Sequence, residues 1–472
     1  MLKNFIFDKL IENLEFEPTP SQENLLKELS VFLSVPEDRK IFLIKGYAGT
    51  GKTTVVNAIV KTLSELKNKS VLLAPTGRAA KVLTGYTGRP AYTIHKHIYR
   101  QKSAKDGLGN FVLDRNIFNT TFFIVDESSM IGDKIADNNI FGSGDLLSDL
   151  TEYINNGINC HLILIGDTAQ LPPVGLDISP ALDRQVLEKY GFTVDEFFLT
   201  DIVRTALDSG ILDNATRIRE QINSRNISIP RIITSDFPDI IRITGNEILE
   251  ELENCYNKFG TSETIVLSRT NKRANQFNTG IRNQILYREE EISIGDLLMV
   301  VKNNYFYNSK ETNLDFIANG DIIRLEKIHG FQSFYGYRFA DVTFSMIDYN
   351  NIEIKAKILI DTLSLDTASL GMVEQKALFN SILEEYDDTT NKHNRIQKVR
   401  ENPYFNALQV KFAYAVTCHK AQGGQWKAVF IDIGYFKPEM LSVEYLRWLY
   451  TAFTRASERL YLVNFPEEFF VS

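Results

Sequence analysis

The segment Gly46-Tyr-Ala-Gly-Thr-Gly-Lys-Thr53 limits the folds open to this chain more than any other stretch of its sequence. It follows the apolar run IFLI and precedes the helical pattern TTVVNAIVKTL, so it joins a strand to a helix. A loop with little side-chain bulk lets backbone N–H groups turn towards phosphate oxygens, and the dipole of the following helix favours the same anion. The pattern GxxxxGK(S/T) therefore predicts an α/β fold that binds ATP. The residues expected to contact the nucleotide are Gly46, Gly49, Thr50, Gly51, Lys52, Thr53 and Thr54.

A second apolar strand ends in two acidic residues, Asp126 and Glu127. One carboxylate suffices to hold Mg²⁺ through water, and an adjacent one can orient the attacking water. We therefore assign Mg²⁺ to Asp126 and to the hydroxyl of Thr53, and the general base to Glu127. Lys52 would reach the β and γ phosphates.

A third apolar run, HLILIG, leads into Asp167-Thr-Ala-Gln170-Leu-Pro-Pro173. A glutamine at this strand end is placed to touch the γ-phosphate and the attacking water together, so Gln170 is a candidate sensor of hydrolysis. A glycine and an aspartate followed by two prolines also form ordinary turns. The assignment of Gln170 therefore depends on the two sites upstream.

Length and composition set the broad class. A chain of 472 residues exceeds what one hydrophobic core usually supports, and 44% hydrophobic with 24% charged residues is typical of globular proteins. The formal net charge of −8 argues against a protein that coats nucleic acid through bulk positive charge, but it permits a basic groove. The widely spaced Cys160, Cys255 and Cys418 fit a reducing cytoplasm. No apolar run approaches the ~20 residues that cross a bilayer, so no membrane association is expected.

The chain divides into two α/β units with insertions. Uninterrupted apolar strands recur from about residue 38 to 200, as expected for a parallel sheet covered on both faces, and they predict a first unit over residues 1–250. Residues 251–287 and 405–472 repeat this pattern and predict a second unit. Residues 288–404 separate these two segments and combine alternating, β-rich runs with a charged helical stretch, which predicts a small inserted barrel with helices.

Together, these stretches resemble superfamily 1 helicases, and more narrowly the RecD-like and Dda-like enzymes of the 1B branch. The resemblance covers most of the chain in the correct order of motifs. Besides the three strand ends, it is carried by Pro20-Ser-Gln22, Ala74-Pro-Thr-Gly-Arg-Ala-Ala80, Thr93-Ile-His-Lys96, Val203-Arg-Thr205, Tyr414-Ala-Val-Thr-Cys-His-Lys-Ala-Gln-Gly423 and Tyr450-Thr-Ala-Phe-Thr-Arg-Ala456. It implies two RecA-like parallel-sheet P-loop domains, with a hairpin inserted in the first and a small β-barrel in the second.

The resemblance also assigns roles at the nucleotide. It implies that Gln22 reads the adenine, that Gly423 lies at the nucleotide, and that Arg204 and Arg455 reach the γ-phosphate as arginine fingers. A guanidinium fork stabilises charge that develops on the transferred phosphoryl oxygens. Many relatives carry an acidic residue at the position of Gln425, so the contact with the nucleotide sugar attributed to that acid is in doubt here.

Contacts with a nucleic-acid track are implied in both units. A translocating protein needs contacts that tolerate any sequence, which favours phosphate and stacking interactions over base-edge recognition. His95 and His419 are also open to an interpretation as core histidines. The expected strand-binding residues are Thr76, Arg78, Thr93 and His95 in the first unit, and Thr417 and His419 in the second.

A hairpin is expected between the motifs of the first unit, in residues 99–119. It contains Lys105-Asp-Gly-Leu-Gly-Asn110, and Asp-Gly favours a tight turn. Relatives use a hairpin here as a strand-separating pin, whereas a simple surface loop remains the alternative.

The function predicted from the residues and the resemblance is an ATP- and Mg²⁺-dependent DNA helicase, moving 5′ to 3′ on single-stranded DNA and acting at junctions with duplex. We expect a cytoplasmic monomer, with replication or repair proteins as candidate partners. Two other classes remain open. A P-loop phosphotransferase would explain Lys52 and Asp126 but not the distal motifs, and a nucleotide-dependent switch on DNA or RNA would hydrolyse ATP without unwinding.

Overall fold

Strands alternate with helices along much of the chain in the computed structural model, which describes residues 2–34, 39–101, 111–132, 142–203, 208–235, 237–307, 316–387 and 391–471. The strands are β1 (Lys40–Gly46), β2 (Lys69–Ala74), β3 (Ala91–Thr93), β4 (Tyr99–Gln101), β5 (Phe111–Leu113), β6 (Thr121–Val125), β7 (His161–Gly166), β8 (Thr193–Leu199), β9 (Ile240–Ile243), β10 (Thr264–Ser268), β11 (Leu297–Val300), β12 (Ile322–Phe334), β13 (Tyr337–Met346), β14 (Ile352–Leu359), β15 (Leu408–Phe412), β16 (Ala415–Thr417), β17 (Trp426–Asp432) and β18 (Ala456–Val463).

The helices cover the sheets and connect their strands. They are α1 (Leu2–Glu12), α2 (Pro20–Ser34), α3 (Lys52–Glu65), α4 (Gly77–Thr87), α5 (Ile94–Ile98), α6 (Leu146–Asn155), α7 (Arg184–Lys189), α8 (Gly210–Ser224), α9 (Ile248–Phe259), α10 (Asn271–Gly280), α11 (Met372–Glu384), α12 (Lys392–Arg400) and α13 (Val443–Phe453). Across the described ranges, we find no helix with both the length and the hydropathy needed to cross a membrane.

The first unit is a parallel sheet in the order β3-β2-β6-β7-β1-β8. Every residue of β6 and β7 is buried, because helices pack on both faces of the central strands. Parallel pairing places the carboxyl ends of β1, β6 and β7 at one edge of the sheet, so the three motifs that follow these strands meet there.

The second unit is a parallel sheet in the order β16-β10-β17-β18-β9. A closed barrel of β11 to β15 is inserted in it, and β4 pairs with β5 as an antiparallel hairpin in the first unit. This architecture confirms the predicted α/β class with two RecA-like sheets, a hairpin and a small barrel. The tip of the hairpin, residues 102–110, lies outside the described residues.

Two element assignments differ from the sequence analysis. Strand β9 falls within residues 1–250, yet Ile240 pairs with Leu460 of β18, and helix α8 buries Ile211 in the core of the second unit. Strand β15 falls within 405–472, yet it closes the barrel by pairing with β11. A strand of four or five residues is too short for its residue pattern to identify its sheet, because the choice depends on a partner distant in sequence.

Candidate active site

The phosphate loop lies between β1 and α3, as its sequence predicts. Gly49 and Gly51 have φ angles of 77° and 80°, which residues with a Cβ rarely adopt. A Cβ at Gly51 would also lie 2.3 Å from Nε2 of Gln22, so the loop and this glutamine are packed in direct contact. Lys52, Thr53 and Thr54 form the first turn of α3, where the helix dipole favours an anion.

Gln22 holds the loop from helix α2. Its Nε2 donates to the carbonyl oxygen of Thr50 at 3.1 Å, and its Oε1 accepts from the backbone N–H of Thr19 at 3.0 Å. The side chain is buried, and both ends of its amide are hydrogen-bonded within the first unit. The structure therefore shows Gln22 positioning the phosphate loop, and its adenine contact stays a prediction.

Lys52 lies at the centre of the site. Its ammonium group donates to the carbonyl oxygen of Tyr47 at 2.8 Å and lies 4.0 Å from Oδ2 of Asp167. Asp167 is buried and was not singled out from the sequence. Because it is the residue directly after β7, its carboxylate reaches the same sheet edge as the phosphate loop.

Asp126 and Glu127, the acidic pair after β6, are joined by a local hydrogen bond. The backbone N–H of Glu127 donates to Oδ1 of Asp126 at 2.8 Å, and Glu127 has a left-handed φ of 54°. Burial, and then the charge of Glu127, raise the pKa of Asp126 to about 6, whereas Lys52 lowers it. The partly buried carboxylate of Asp126 follows β6, and the hydroxyl of Thr53 lies at the start of α3, which follows β1. Both groups are hard oxygen ligands of the kind that Mg²⁺ prefers. These residues fit the ion.

Gln170 is buried in the loop that follows β7. Its Oε1 has no hydrogen-bond partner among the described residues. Leaving a buried amide oxygen without a hydrogen bond costs free energy. The Oε1 atom of Gln170 is therefore suited to accept a hydrogen bond from water or substrate. The observation agrees with the expected role beside the γ-phosphate but does not test it.

One face of helix α13 in the second unit contacts both the phosphate loop and the loop that follows β7. The hydroxyl of Tyr450 donates to Oδ2 of Asp167 at 2.7 Å and accepts from the N–H of Ala48 at 2.9 Å. Arg447 donates to the carbonyl oxygens of Thr168 and Gln170 at 2.5 and 3.1 Å. Sequence reasoning missed these residues, since Tyr450 lay within a quoted motif but no pattern tied it to a residue 283 positions away.

Arg455, one of the two predicted arginine fingers, has its hydrogen-bond partners within the second unit. Arg455 is buried, and its guanidinium donates to the carbonyl oxygens of Thr451 at 3.1 Å and Gly424 at 3.2 Å, all in the second unit. Arg204 lies outside the described residues.

Gly423 and Gln425 contact the first unit, and the nucleotide contact of Gly423 stays a prediction. Gly423 lies against Thr76 and Ala79 of the first unit, and the side chain of Gln425 accepts a hydrogen bond from the Tyr86 hydroxyl at 3.0 Å. Both residues therefore contact helix α4 in this structure. Their positions follow from the packing of the two units against each other.

The expected strand-binding residues of the first unit lie at helix starts. Thr76 accepts from the N–H of Ala79 and caps α4, and Thr93 accepts from that of Lys96 and caps α5. Arg78 places its guanidinium 4.2 Å from the ring centre of Trp426 and donates to the Gln425 carbonyl. Arg78 therefore spans the two units.

The histidines have different surroundings. His95 is partly buried, with its ring centre 5.8 Å from that of Tyr99. Burial lowers its pKa to about 4, against the opposing charge of Asp149. It is therefore neutral at pH 7, as expected for a packed histidine. His419 is exposed.

A cavity between the second sheet and the barrel contains Thr417 together with Lys411 and Lys420. Burial lowers the pKa of each lysine to about 8, and the Lys420 ammonium donates to Oδ1 of Asn319. Sequence reasoning did not select either lysine: Lys411 precedes the quoted motif that begins at Tyr414, and Lys420 lies within that motif without an assigned role.

The barrel touches helix α4 with acidic residues. Lys81 of α4 pairs with Asp348 at 3.2 Å. A Cβ at Gly77 would lie 2.6 Å from both Oδ1 of Asp321 and the hydroxyl of Tyr349, so only glycine permits this approach. Burial raises the pKa of Asp321 to about 7, and the nearby Asp348 adds to that rise.

Comparison with known proteins follows the same division of the chain. Residues 34–176 match a family model described as an AAA domain, and residues 412–463 match the UvrD-like helicase C-terminal domain. The chain is 25% identical to the ATP-dependent DNA helicase dda of Enterobacteria phage T4, over 85% of this chain and 89% of that protein.

Two further relatives differ in coverage. The uncharacterized protein R530 of Acanthamoeba polyphaga mimivirus is 23% identical over 89% of this chain and 94% of its own length. The ATP-dependent RecD2 DNA helicase of Deinococcus radiodurans is 31% identical over 33% of this chain and 19% of its own length. Among solved structures, the Pif1 helicase from Bacteroides, in complex with ADP-AlF3 and single-stranded DNA, aligns over 97% of this chain and 95% of that chain, with 14% identity and a TM-score of 0.46.

Proposed function

We propose that this chain is an ATP-dependent DNA helicase of the superfamily 1B type, similar to RecD and Dda, which moves 5′ to 3′ along single-stranded DNA and unwinds duplex at junctions. The observation that carries the proposal is the position of the nucleotide site. Its phosphate loop follows a strand of the first sheet, while Tyr450 of the second unit contacts that loop and Arg447 contacts the loop after β7. A change in the nucleotide can therefore alter the distance between the units.

Each polar residue of the first unit at the nucleotide site has a separate role in hydrolysis. Lys52 holds the β and γ phosphates, Thr53 and Asp126 hold Mg²⁺, and Glu127 takes a proton from the attacking water. Bound Mg²⁺ neutralises charge on the phosphates. The unsatisfied Oε1 of Gln170 orients the water, since it accepts a hydrogen bond without breaking another one in this structure.

Arg455 and Arg204 supply positive charge from across the cleft in this proposal. Arg455 would exchange its backbone carbonyl partners for phosphoryl oxygens as the units close, because a guanidinium is far better satisfied by an anion than by neutral acceptors. Hydrolysis removes that anion and favours reopening.

The strand is held by both units. Thr76, Arg78 and Thr93 lie at the starts of helices, where phosphate is favoured, and Thr417 and His419 provide the matching contacts in the second unit. Lys420 joins them, since it lies beside Thr417 and retains positive charge at pH 7 with a pKa near 8. Alternating grip by the two sets gives directional steps.

The test is ATP hydrolysis with and without homopolymeric oligo-dT, followed by unwinding of forks that carry a single 5′ or 3′ tail. We expect strong stimulation by the oligonucleotide and unwinding only of the 5′-tailed substrate. Hydrolysis that ignores the oligonucleotide would overturn the motor and favour the switch. Unwinding from the 3′ tail would overturn the polarity alone, and equal stimulation by oligo-rU would overturn the choice of DNA.

A further inference from the structure

The hydroxyl of Tyr450 is shared between two parts of the first unit. It accepts a hydrogen bond from the N–H of Ala48 in the phosphate loop at 2.9 Å and donates one to Oδ2 of Asp167 at 2.7 Å. The tyrosine is 1% exposed, and burial, followed by the charge of Asp167, raises its pKa well above the usual range, so the hydroxyl keeps its proton. Both hydrogen bonds cross from helix α13 to the first unit.

Asp167 connects this contact to Lys52. Its Oδ1 accepts from the N–H of Ala169 at 2.9 Å, and its Oδ2 lies 4.0 Å from the Lys52 ammonium. A buried carboxylate attracts a nearby ammonium more strongly when fewer hydrogen bonds satisfy it. The bond from Tyr450 therefore reduces the hold of Asp167 on Lys52, which must be free to meet the phosphates.

The neighbours of Tyr450 on α13 fix its register. Arg447, Tyr450 and Thr451 share one helix face because they are spaced by three and four residues. The N–H of Leu171 donates to the Thr451 hydroxyl at 2.9 Å, and Gln422 donates to the Leu171 carbonyl at 2.6 Å. The loop that carries Gln170 is thus held to the second unit on both sides of that residue.

We propose that Tyr450 is a positioning residue for ATP hydrolysis: its hydroxyl ties the phosphate loop and Asp167 to helix α13, so that the alignment of Lys52 and Gln170 depends on the position of the second unit. This inference rests on the proposed function, since it assigns part of the coupling within that same site. It is separate from the arginine fingers, because Tyr450 acts through Ala48 and Asp167 and carries no positive charge.

The experiment compares Tyr450→Phe with Tyr445→Phe on the same helix. Both substitutions remove one hydroxyl and keep the ring, but the Tyr445 hydroxyl has no hydrogen-bond partner among the described residues. We expect Tyr450→Phe to lower kcat of oligo-dT-stimulated hydrolysis by about tenfold or more, as for a lost hydrogen bond to a charged group. The KM for ATP should change less than threefold, since the hydroxyl forms its two hydrogen bonds with protein groups, the N–H of Ala48 and the carboxylate of Asp167. Tyr445→Phe should match the wild type.

A double substitution separates positioning from a general loss of structure. If Tyr450 acts through Asp167, then Tyr450→Phe combined with Asp167→Asn should be no slower than the slower single variant, because both remove the same contact. Multiplied losses in the double variant, equal rates for the two phenylalanine variants, or a higher KM at unchanged kcat would each overturn the inference. A wild type that oligo-dT does not stimulate would instead overturn the proposed function. Thermal melting of each variant is measured, and a kcat loss that disappears once the variant is assayed well below its melting temperature also counts against positioning.

Discussion

Arg455 is surrounded by acceptors of its own unit, so its assignment as an arginine finger can be tested at that residue. Arg455→Lys keeps the charge but loses the planar fork. We expect kcat to fall by about two orders of magnitude or more, since such fingers supply on the order of 10³ in rate, while the affinity for ADP stays within a few-fold. Stopped-flow kcat and fluorescent ADP titration measure the two effects.

Arg459→Lys is the matched control, because Arg459 lies on β18 and donates to the Pro238 carbonyl away from the cleft. If Arg455→Lys lowers the melting temperature and leaves kcat unchanged, the residue is a structural cation that caps its own backbone.

The raised pKa of Asp321 predicts that the free energy of unfolding depends on pH. Its folded pKa of about 7 lies above the ordinary value of 3.8, so the folded state binds its proton more tightly than the unfolded chain does. Such a group makes the free energy of unfolding rise as the pH falls from about 8 towards 5. The groups around it are the Tyr349 hydroxyl, the N–H of Ala318 and the charge of Asp348.

Asp321→Asn removes this titration and keeps an oxygen that can accept from Ala318. We expect the variant to be more stable than the wild type at pH 8, with the difference shrinking towards pH 5. Urea unfolding at both pH values provides the measurement. A difference that is constant with pH would contradict the raised pKa.

The hairpin of β4 and β5 is joined to the barrel by aromatic contact. The ring centre of Phe111 lies 4.6 Å from that of Tyr305 and 6.2 Å from that of Phe316. The hairpin base is therefore packed, and a test of its tip must leave Phe111 in place. Aromatic pairs at such distances stabilise a contact beyond the area they bury.

Replacing residues 104–110 by a Gly-Ser segment of equal length tests the strand-separating pin. We expect duplex unwinding to be lost while oligo-dT-stimulated hydrolysis stays within about twofold, because no predicted nucleotide or strand contact lies in the segment. The same replacement of residues 388–390 is the control. Loss of both activities, or of neither, would favour an ordinary surface loop.

At the scale of elements, prediction succeeded where residues signal their own structure. The strand, loop and helix around Lys52 follow from glycine freedom and apolar runs, and the barrel follows from alternating polarity in β12 to β14. Short strands were assigned to the wrong neighbour, as with β9 and β15. The apolar side chains of such short strands can be buried in either sheet. Which sheet a strand joins depends on which sheet has a free edge strand to pair with it.

At the scale of the whole molecule, the contact between Arg78 and Trp426 offers a probe of closure. Trp448→Phe leaves Trp426 as the chain's remaining tryptophan, and the Trp448 ring N–H has no partner among the described residues. Trp426 is 4% exposed and faces a guanidinium of the other unit. Movement of the units should therefore change its emission.

We expect the emission of the Trp448→Phe protein to shift when a non-hydrolysable ATP analogue and oligo-dT are added together, and to return when ADP replaces the analogue. Arg78→Lys in the same background provides the control, since it removes the planar group that stacks on the ring. Emission that stays unchanged in every nucleotide state would contradict alternating closure.

The amino-acid sequence by itself determined the nucleotide loop, the acidic pair, the α/β class with its inserted barrel and the family resemblance. These features depend on local chemistry, such as glycine at a tight turn or a carboxylate at a strand end. Only the tertiary structure decided which residues of the two units meet around the nucleotide site. Tyr450, Arg447 and Asp167 are ordinary residues until two sheets pack together, because a hydrogen bond across a cleft depends on where distant segments meet and leaves no periodic signal in either one.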